Sequence, residues 1–148
     1  MTPTLASFES LSWIVSHPYA YPALEVVHIA GIALLFGNLV LFELRVWGIG
    51  VALPVDVLQR VALRTSLVGF GIAAASGGVM FASHPGELLA NRAFLAKMGL
   101  LVAAGVNAAA FHGRGGSRRL DRVARLQTAL SLGLWLAIII CGRWIAYL

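Results

Sequence analysis

The chain has 148 residues, of which 59% are hydrophobic and 11% are charged, whereas ordinary soluble domains contain about 45–50% apolar and about 25% charged residues. The mean hydropathy is +0.86. This composition excludes a soluble globular enzyme. Because one membrane crossing uses about 20 apolar residues, the length admits four crossings with short connections and leaves no room for a second domain.

The formal net charge is +5, from 11 Lys and Arg residues against 6 Asp and Glu residues. A basic balance can indicate a nucleic acid, an anionic substrate or a membrane surface as the partner. Here the basic residues are concentrated in two connections between apolar runs, and no basic stripe interleaved with aromatic residues is present. We therefore expect the lipid bilayer as the partner of this chain, and no nucleic acid.

The first segment predicts a short amphipathic helix at about residues 5–17. One helical face would carry Phe8, Leu11 and Ile14, while three serines and a glutamate lie largely elsewhere. The segment is too short and too polar to span a bilayer, and Pro18 ends it. This pattern is typical of a helix that lies in the membrane interface.

Four apolar runs follow, and each predicts one spanning helix. Glycine and proline residues in the connections are the breakers expected between antiparallel neighbours. The expected fold is therefore all-α, an integral membrane four-helix bundle in a single domain of residues 1–148, preceded by the interfacial helix. The predicted spans are about 23–47, 61–82, 93–111 and 126–148.

The distribution of Lys and Arg predicts the orientation of the bundle. Eight of these residues lie in or beside the first and third connections, against three on the other side. The positive-inside rule therefore places those two connections in the cytoplasm. In a bacterial cell, this predicts an inner-membrane protein with periplasmic N- and C-termini. The eight residues are Arg45, Arg60, Arg64, Arg114, Arg118, Arg119, Arg122 and Arg125.

Ionisable side chains within the spans are the functional candidates, because they are costly in hydrocarbon. A histidine at position 28 serves either as a ligand of haem iron or copper or in an interhelical hydrogen bond. His112 lies at the other end of the bundle and cannot share a haem with His28. The residues predicted to gather at the outer side with His28 are Glu25, His84, Lys97 and Arg143.

Small residues form a stripe along the second span, which includes Gly71 and Gly78. Such residues permit the close approach of another helix or of a flat cofactor. His84 directly precedes Pro85, so it is either a ligand or an ordinary loop residue. The sequence leaves these alternatives open.

Five short motifs are distinctive in combination: Glu25-Val-Val-His28, Glu43-Leu-Arg45, Asn91-Arg-Ala-Phe-Leu-Ala-Lys97, Asn107-Ala-Ala-Ala-Phe-His112 and Gly142-Arg-Trp-Ile-Ala-Tyr147. Over nearly the whole chain they resemble a family of bacterial four-helix inner-membrane proteins that has no assigned activity. More distantly, the arrangement resembles the four-helix cores of copper-resistance protein D and of the membrane protoporphyrinogen oxidase of the HemJ type. The latter group is associated with haem b. The resemblance implies that His28 and Lys97 correspond to a histidine and a lysine of those cores.

Three hypotheses of function follow. The first is a haem-b-binding, redox-linked membrane protein in which His28 is an axial ligand and His84 or Lys97 is the opposite partner or a propionate contact. Gly71, Gly78 and Arg143 would then also lie at the cofactor. The second is copper handling or transport through His28 and His84. The third is a non-catalytic structural or accessory subunit that forms a homo-oligomer or joins a larger membrane complex.

Overall fold

The computed structural model describes residues 17–118 and 120–148. All regular structure in this part of the chain is helical, which confirms the predicted fold class. The amphipathic helix expected at about 5–17 lies outside the described residues, apart from His17. The elements in chain order are α1 (Ala20–Val46), α2 (Val55–Ser83), α3 (Pro85–Ala90), α4 (Arg92–Gly113), a 3-10 turn (Gly116–Arg118) and α5 (Arg122–Trp144).

Helices α1, α2, α4 and α5 are long and apolar enough to cross a membrane. Each contains an 18-residue window with a mean hydropathy between 1.5 and 2.0. Only 11–17% of each window is buried inside the protein, so most of the apolar side chains face outward. An apolar surface of this extent is untenable in water and is what hydrocarbon requires of a spanning helix. The chain is therefore a multi-pass integral membrane protein.

The backbone course of the connection between α1 and α2 depends on two of its glycines. Gly48 and Gly50 have φ angles of +97° and +70°, a left-handed conformation that glycine adopts without the steric penalty of a Cβ. They follow the end of α1 at Val46. The guanidinium of Arg45, in the last turn of α1, donates hydrogen bonds to the carbonyl oxygens of Leu53 (2.8 Å) and Val51 (3.4 Å). The loop is thereby fastened to the helix that it leaves.

Helix α2 begins at Val55, before the expected start at residue 61. Pro54 precedes it in an extended conformation. The added turn is polar, with an exposed Asp56–Arg60 ion pair at 3.7 Å. The apolar run therefore predicts the part of α2 that crosses the membrane. It does not predict the polar start of the helix, which extends beyond the apolar run.

The segment between α2 and α4, expected as a connection over 83–92, contains the short helix α3. Pro85 occupies its first turn, where the missing N–H has no helical partner to lose. Asn91 then caps α4, because its Oδ1 accepts hydrogen bonds from the backbone N–H groups of Ala93 (2.9 Å) and Phe94 (3.1 Å).

The bundle consists of two closely packed hairpins, α1 with α2 and α4 with α5. In the first hairpin, backbones meet at Gly31 and Gly69: a Cβ added to Gly69 would lie 2.6 Å from the carbonyl oxygen of Gly31. In the second, Nδ2 of Asn107 donates to the backbone oxygen of Gln127 at 2.9 Å. Small residues and amide side chains are the usual means of helix association in a membrane.

The two hairpins join most firmly at what we call the arginine-rich end, the end that carries the connections 47–54 and 114–121. There the rings of Phe42 and Phe111 meet edge to face, with centroids 6.0 Å apart. Nε1 of Trp47 donates to the hydroxyl of Thr128 at 2.9 Å. At the opposite end the hairpins meet through the stacked rings of Phe81 and Phe94.

Candidate functional site

His28 lies on α1 in the half of the bundle away from the arginine-rich end, and its ring is held by α2. Nδ1 donates to the carbonyl oxygen of Ala73 at 2.8 Å and lies 3.1 Å from the hydroxyl of Ser76. The Ser76 hydroxyl in turn donates to the carbonyl oxygen of Ile72 at 2.7 Å. Since a carbonyl oxygen only accepts, the hydrogen of a neutral His28 ring sits on Nδ1 and the lone pair sits on Nε2. Nε2 has no hydrogen bond to any described residue.

The position of the ring depends on a glycine of α2. A Cβ added to Gly77 would lie 3.1 Å from Cε1 and 3.4 Å from Nδ1 of His28. These distances are tighter than ordinary van der Waals contact, so the imidazole rests directly on the backbone of α2. The orientation of Nε2 is thus fixed by two hydrogen-bond acceptors and one steric wall.

Lys97 approaches the same half of the bundle from α4. Its side chain runs along Gly142 of α5, where an added Cβ would lie 3.5 Å from Nζ. The ammonium is within electrostatic range of His28, and it forms no ion pair or hydrogen bond with a described residue. Lys97 and His28 thus lie in the same half of the bundle without a direct hydrogen bond.

The other residues predicted for this cluster make no hydrogen bond, ion pair or ring contact with His28. His84 is the residue between α2 and α3, and its ring is 6.1 Å from that of Tyr21. It follows Ser76 by eight residues, which corresponds to about 12 Å along a helix axis. Arg143 is exposed and donates to the Tyr147 hydroxyl at 2.8 Å, and Glu25 is exposed as well. These three side chains do not meet at His28.

Gly71 and Gly78, predicted to admit a cofactor, point away from the helix pair. A Cβ added to either would meet nothing within 4 Å. Gly69 and Gly77 instead allow the close approach of α1 and α2. Gly69 lies two residues before Gly71, and Gly77 lies one residue before Gly78. No group of three or more His, Cys, Asp or Glu side chains among the described residues is placed to hold a metal ion.

A second polar site lies toward the arginine-rich end, around Glu43, which belongs to one of the distinctive sequence motifs but was not predicted as a site residue. Glu43 of α1 is only 2% exposed, and neither carboxylate oxygen has an aligned hydrogen-bond partner among the described residues. The Ser131 hydroxyl of α5 is near enough to interact but is not aligned. A buried, incompletely satisfied carboxylate is costly and therefore marks a functional candidate.

Glu43 faces a cavity that all four spanning helices line. The empty space is about 540 Å³, including the part that opens to the outside. Its apolar walls include Leu39, Phe42 and Phe111. Its polar lining includes Gln59, Asn107, His112, Gln127, Thr128 and Ser131.

Several of these polar groups hold one another in place. Nε2 of Gln59 and Nδ1 of His112 lie 3.4 Å apart and join α2 to α4. Thr128 accepts from Trp47 and donates to the carbonyl oxygen of Arg125 at 3.0 Å. Hydrogen bonds therefore link polar residues of the cavity wall across the helices, whereas the Glu43 carboxylate takes part in none of them.

The sequence contains a spacing pattern that indicates the inward position of Glu43. Gly31, Leu35, Leu39 and Glu43 follow steps of four residues, and the first, second and fourth of them are buried. The carboxylate thus belongs to the inward face of a spanning helix. Because Glu43 lies only three residues before the end of α1, its position in the sequence suggests an interfacial residue.

The two sites are well separated. His28 and Glu43 are 15 residues apart on α1, about 22 Å along the helix axis, so one small ligand cannot contact both. They therefore provide two independent grounds for assigning a function.

Comparisons with protein-family models, with curated proteins and with solved structures found no match for this chain.

Proposed function

We propose that the chain is a bacterial inner-membrane protein that binds haem b in the outer half of its helical bundle and has a redox-linked role. The observation that carries the proposal is the hydrogen bond from Nδ1 of His28 to the Ala73 carbonyl oxygen at 2.8 Å. Metal-ligating histidines characteristically donate their other ring N–H to such an acceptor, which fixes the tautomer and orients the ligating nitrogen. Nε2 of His28 is the nitrogen left for iron.

Haem fits these residues better than copper does. Haem brings four nitrogen ligands of its own and needs only one or two axial ligands from the protein. A copper site needs several protein ligands, and the described residues contain no group of three that could supply them. His28 as a single oriented imidazole therefore supports haem rather than a copper-transport site with His84.

Lys97 supports the same proposal through its charge. Its ammonium is half-buried, lies within electrostatic range of His28 and has no anionic partner among the described residues. A propionate of the macrocycle would provide that partner, which would reduce the cost of keeping the ammonium at this depth. The absence of a side chain at Gly142 allows the Lys97 side chain to lie along α5.

Bound haem would supply one-electron chemistry at this site. The chain's own contribution would be to hold one imidazole nitrogen in a fixed direction and to place a cation beside it. The surrounding spanning helices would keep bulk water away from the metal. The positive-inside rule puts this half of the bundle on the periplasmic side.

The visible absorption spectrum of the protein tests the proposal. Purification in detergent after expression with ample haem should yield a Soret band, and His28→Ala should abolish or shift it. Gly77→Ala should shift the band or the reduction potential, because its Cβ would displace the ring of His28.

Gly78→Ala is the matched control, since its added Cβ meets nothing within 4 Å. Lys97→Gln should alter the reduction potential while the band is retained, if the lysine contacts a propionate. The absence of any Soret band from the purified protein, and again after reconstitution with haem, contradicts the proposal.

A second candidate function is a non-catalytic subunit that self-associates. Gly71, Ala75 and Gly78 are exposed on the outer surface of α2, with open space next to both glycines. Stripes of small residues on a lipid-facing surface allow a second helix to pack closely. This surface is available for a second copy of the chain.

The oligomeric state in detergent tests this candidate. Wild-type protein should then elute as a dimer or larger assembly by light scattering, and Gly78→Leu should dissociate it. If the protein carries no haem and His28→Ala leaves its assembly unchanged, the structural role is favoured over the redox-linked role.

A further inference from the structure

Glu43 is a carboxylate without a compensating positive charge. It is 2% exposed, and both oxygens lack an aligned hydrogen-bond partner among the described residues. The ion pairs in the described part of the chain are Asp56–Arg60 and Arg114–Asp121, and neither involves Glu43. An ionised carboxylate in such surroundings requires a cation, because desolvation is not repaid without one.

No lysine or arginine among the described residues lines the cavity beside Glu43. His112 lines it too, but its Nδ1 lies 3.4 Å from Nε2 of Gln59 and it forms no ion pair with Glu43. Ser131, also in the lining, carries a neutral hydroxyl. The Glu43 carboxylate thus lies in the wall of a partly open cavity without a positive partner among the described residues. A bound molecule is the remaining source of positive charge.

The rest of the lining indicates what kind of molecule fits. Leu39, Phe42, Leu63 and Phe111 provide apolar and aromatic walls, which suit a hydrophobic body and can face a cation with their rings. A bare metal ion does not match this lining, because sodium, magnesium and calcium require about six oxygen ligands at short distance. The space is also far larger than such an ion needs.

We propose that the cavity binds a small organic amine with an apolar body, whose ammonium group pairs with the carboxylate of Glu43. The apolar body would lie against Phe42 and Phe111, whose rings meet edge to face in the cavity wall. The amides of Asn107 and Gln127 line the same cavity and would receive polar substituents. This site is separate from the haem site proposed at His28 and has a different class of ligand.

Fluorescence titration of the purified protein in a non-ionic detergent tests the proposal. The probe is dansylcadaverine, a primary amine on an aromatic body, and its N-acetylated derivative is the matched neutral probe. Binding of the amine should produce a saturable blue shift, and the acetylated derivative should bind at least about tenfold more weakly. Ionised partners strengthen a buried hydrogen bond relative to neutral ones.

Glu43→Gln keeps the shape of the side chain and removes its charge, so it should weaken binding of the amine by about 30-fold or more. Glu25→Gln is the control variant, because Glu25 is an exposed carboxylate on the same helix. Its affinity should equal that of the wild type. The melting temperature of each variant confirms that it is folded.

Three results would overturn the proposal: no saturable binding of the amine, equal binding of the acetylated probe, or unchanged affinity in Glu43→Gln. The comparison of the two probes uses wild-type protein and holds whatever happens to the variant. His28→Ala should leave amine binding intact, and Glu43→Gln should leave the haem spectrum intact. Failure of one site is therefore distinguishable from failure of the other.

Discussion

Gly31 of α1 and Gly69 of α2 bring the backbones of their helices into direct contact. A Cβ added to Gly31 would lie 2.7 Å from the backbone nitrogen of Ala73, and one added to Gly69 would lie 2.6 Å from the carbonyl oxygen of Gly31. Both obstructing atoms belong to backbone, which cannot rotate out of the way. This contact lies one turn from His28 and fixes the distance across which its hydrogen bond to Ala73 forms.

Gly69→Ala should therefore separate the two helices and destabilise the protein by about 1–3 kcal/mol, the range for overpacking of a well-packed interface. The control is Gly71→Ala on the same helix, where an added Cβ meets nothing within 4 Å. Thermal unfolding in detergent, followed by circular dichroism, measures both. Equal melting temperatures for the two variants would show that the backbones do not need this contact.

Trp47 and Thr128 connect the two hairpins at the arginine-rich end. Trp47→Phe removes the 2.9 Å hydrogen bond between them but retains an aromatic ring, so we expect a loss of about 0.5–1.5 kcal/mol in stability. Trp144→Phe is the control, because Trp144 is 56% exposed. Chemical unfolding of both variants in the same detergent checks the difference, and an equal loss in the two would contradict a specific role for the bond.

Asn91 combines two structural roles. Its Oδ1 caps α4, and its Nδ2 donates to the carbonyl oxygen of Ile145 at 3.0 Å, which ties the start of α4 to the end of α5. Asn91→Ala should lose both contributions and cost about 1–2 kcal/mol. Asn91→Ser retains a capping hydroxyl and should cost about half as much.

Asn38→Ala provides the reference for this series, since Asn38 donates only to Leu34 of its own helix at 2.7 Å. It should change the free energy of unfolding by less than about 0.5 kcal/mol. If all three variants unfold at the wild-type midpoint, the link between α4 and α5 does not stabilise the bundle.

The four spanning helices were predictable because a long apolar run has few alternatives: its backbone must form its own hydrogen bonds in lipid. The helix boundaries were less predictable. The polar first turn of α2, with Asp56 and Arg60, continues the helix beyond the apolar run, and α3 is too short to give a periodic signal. Local capping by Asn91 explains why α4 begins where it does, whereas its second hydrogen bond, to Ile145, depends on the position of α5.

The candidate sites were predictable only in part. The similar depth of His28 and Lys97 follows from their positions near the starts of α1 and α4, two spanning helices that run in the same direction, and the sequence spacing provides this. The inward direction of Glu43 depends on the rotation of α1 about its axis, which Gly31 and Gly69 determine by their contact. The same rotation explains why Gly71 and Gly78 face outward although Gly69 and Gly77 face α1.

The orientation of the bundle yields a final prediction, since the excess of arginine at one end predicts that this end is cytoplasmic. Single cysteines at two exposed positions report on it: Val51→Cys in the connection after α1, 71% exposed, and Tyr147→Cys after α5, 70% exposed. Both are made in a Cys141→Ala background, because Cys141 is the one native cysteine. A membrane-impermeant maleimide added to intact bacterial cells should label Tyr147→Cys and should reach Val51→Cys only after lysis. Labelling of Val51→Cys in intact cells would invert the orientation and move the proposed haem site to the cytoplasmic half of the membrane.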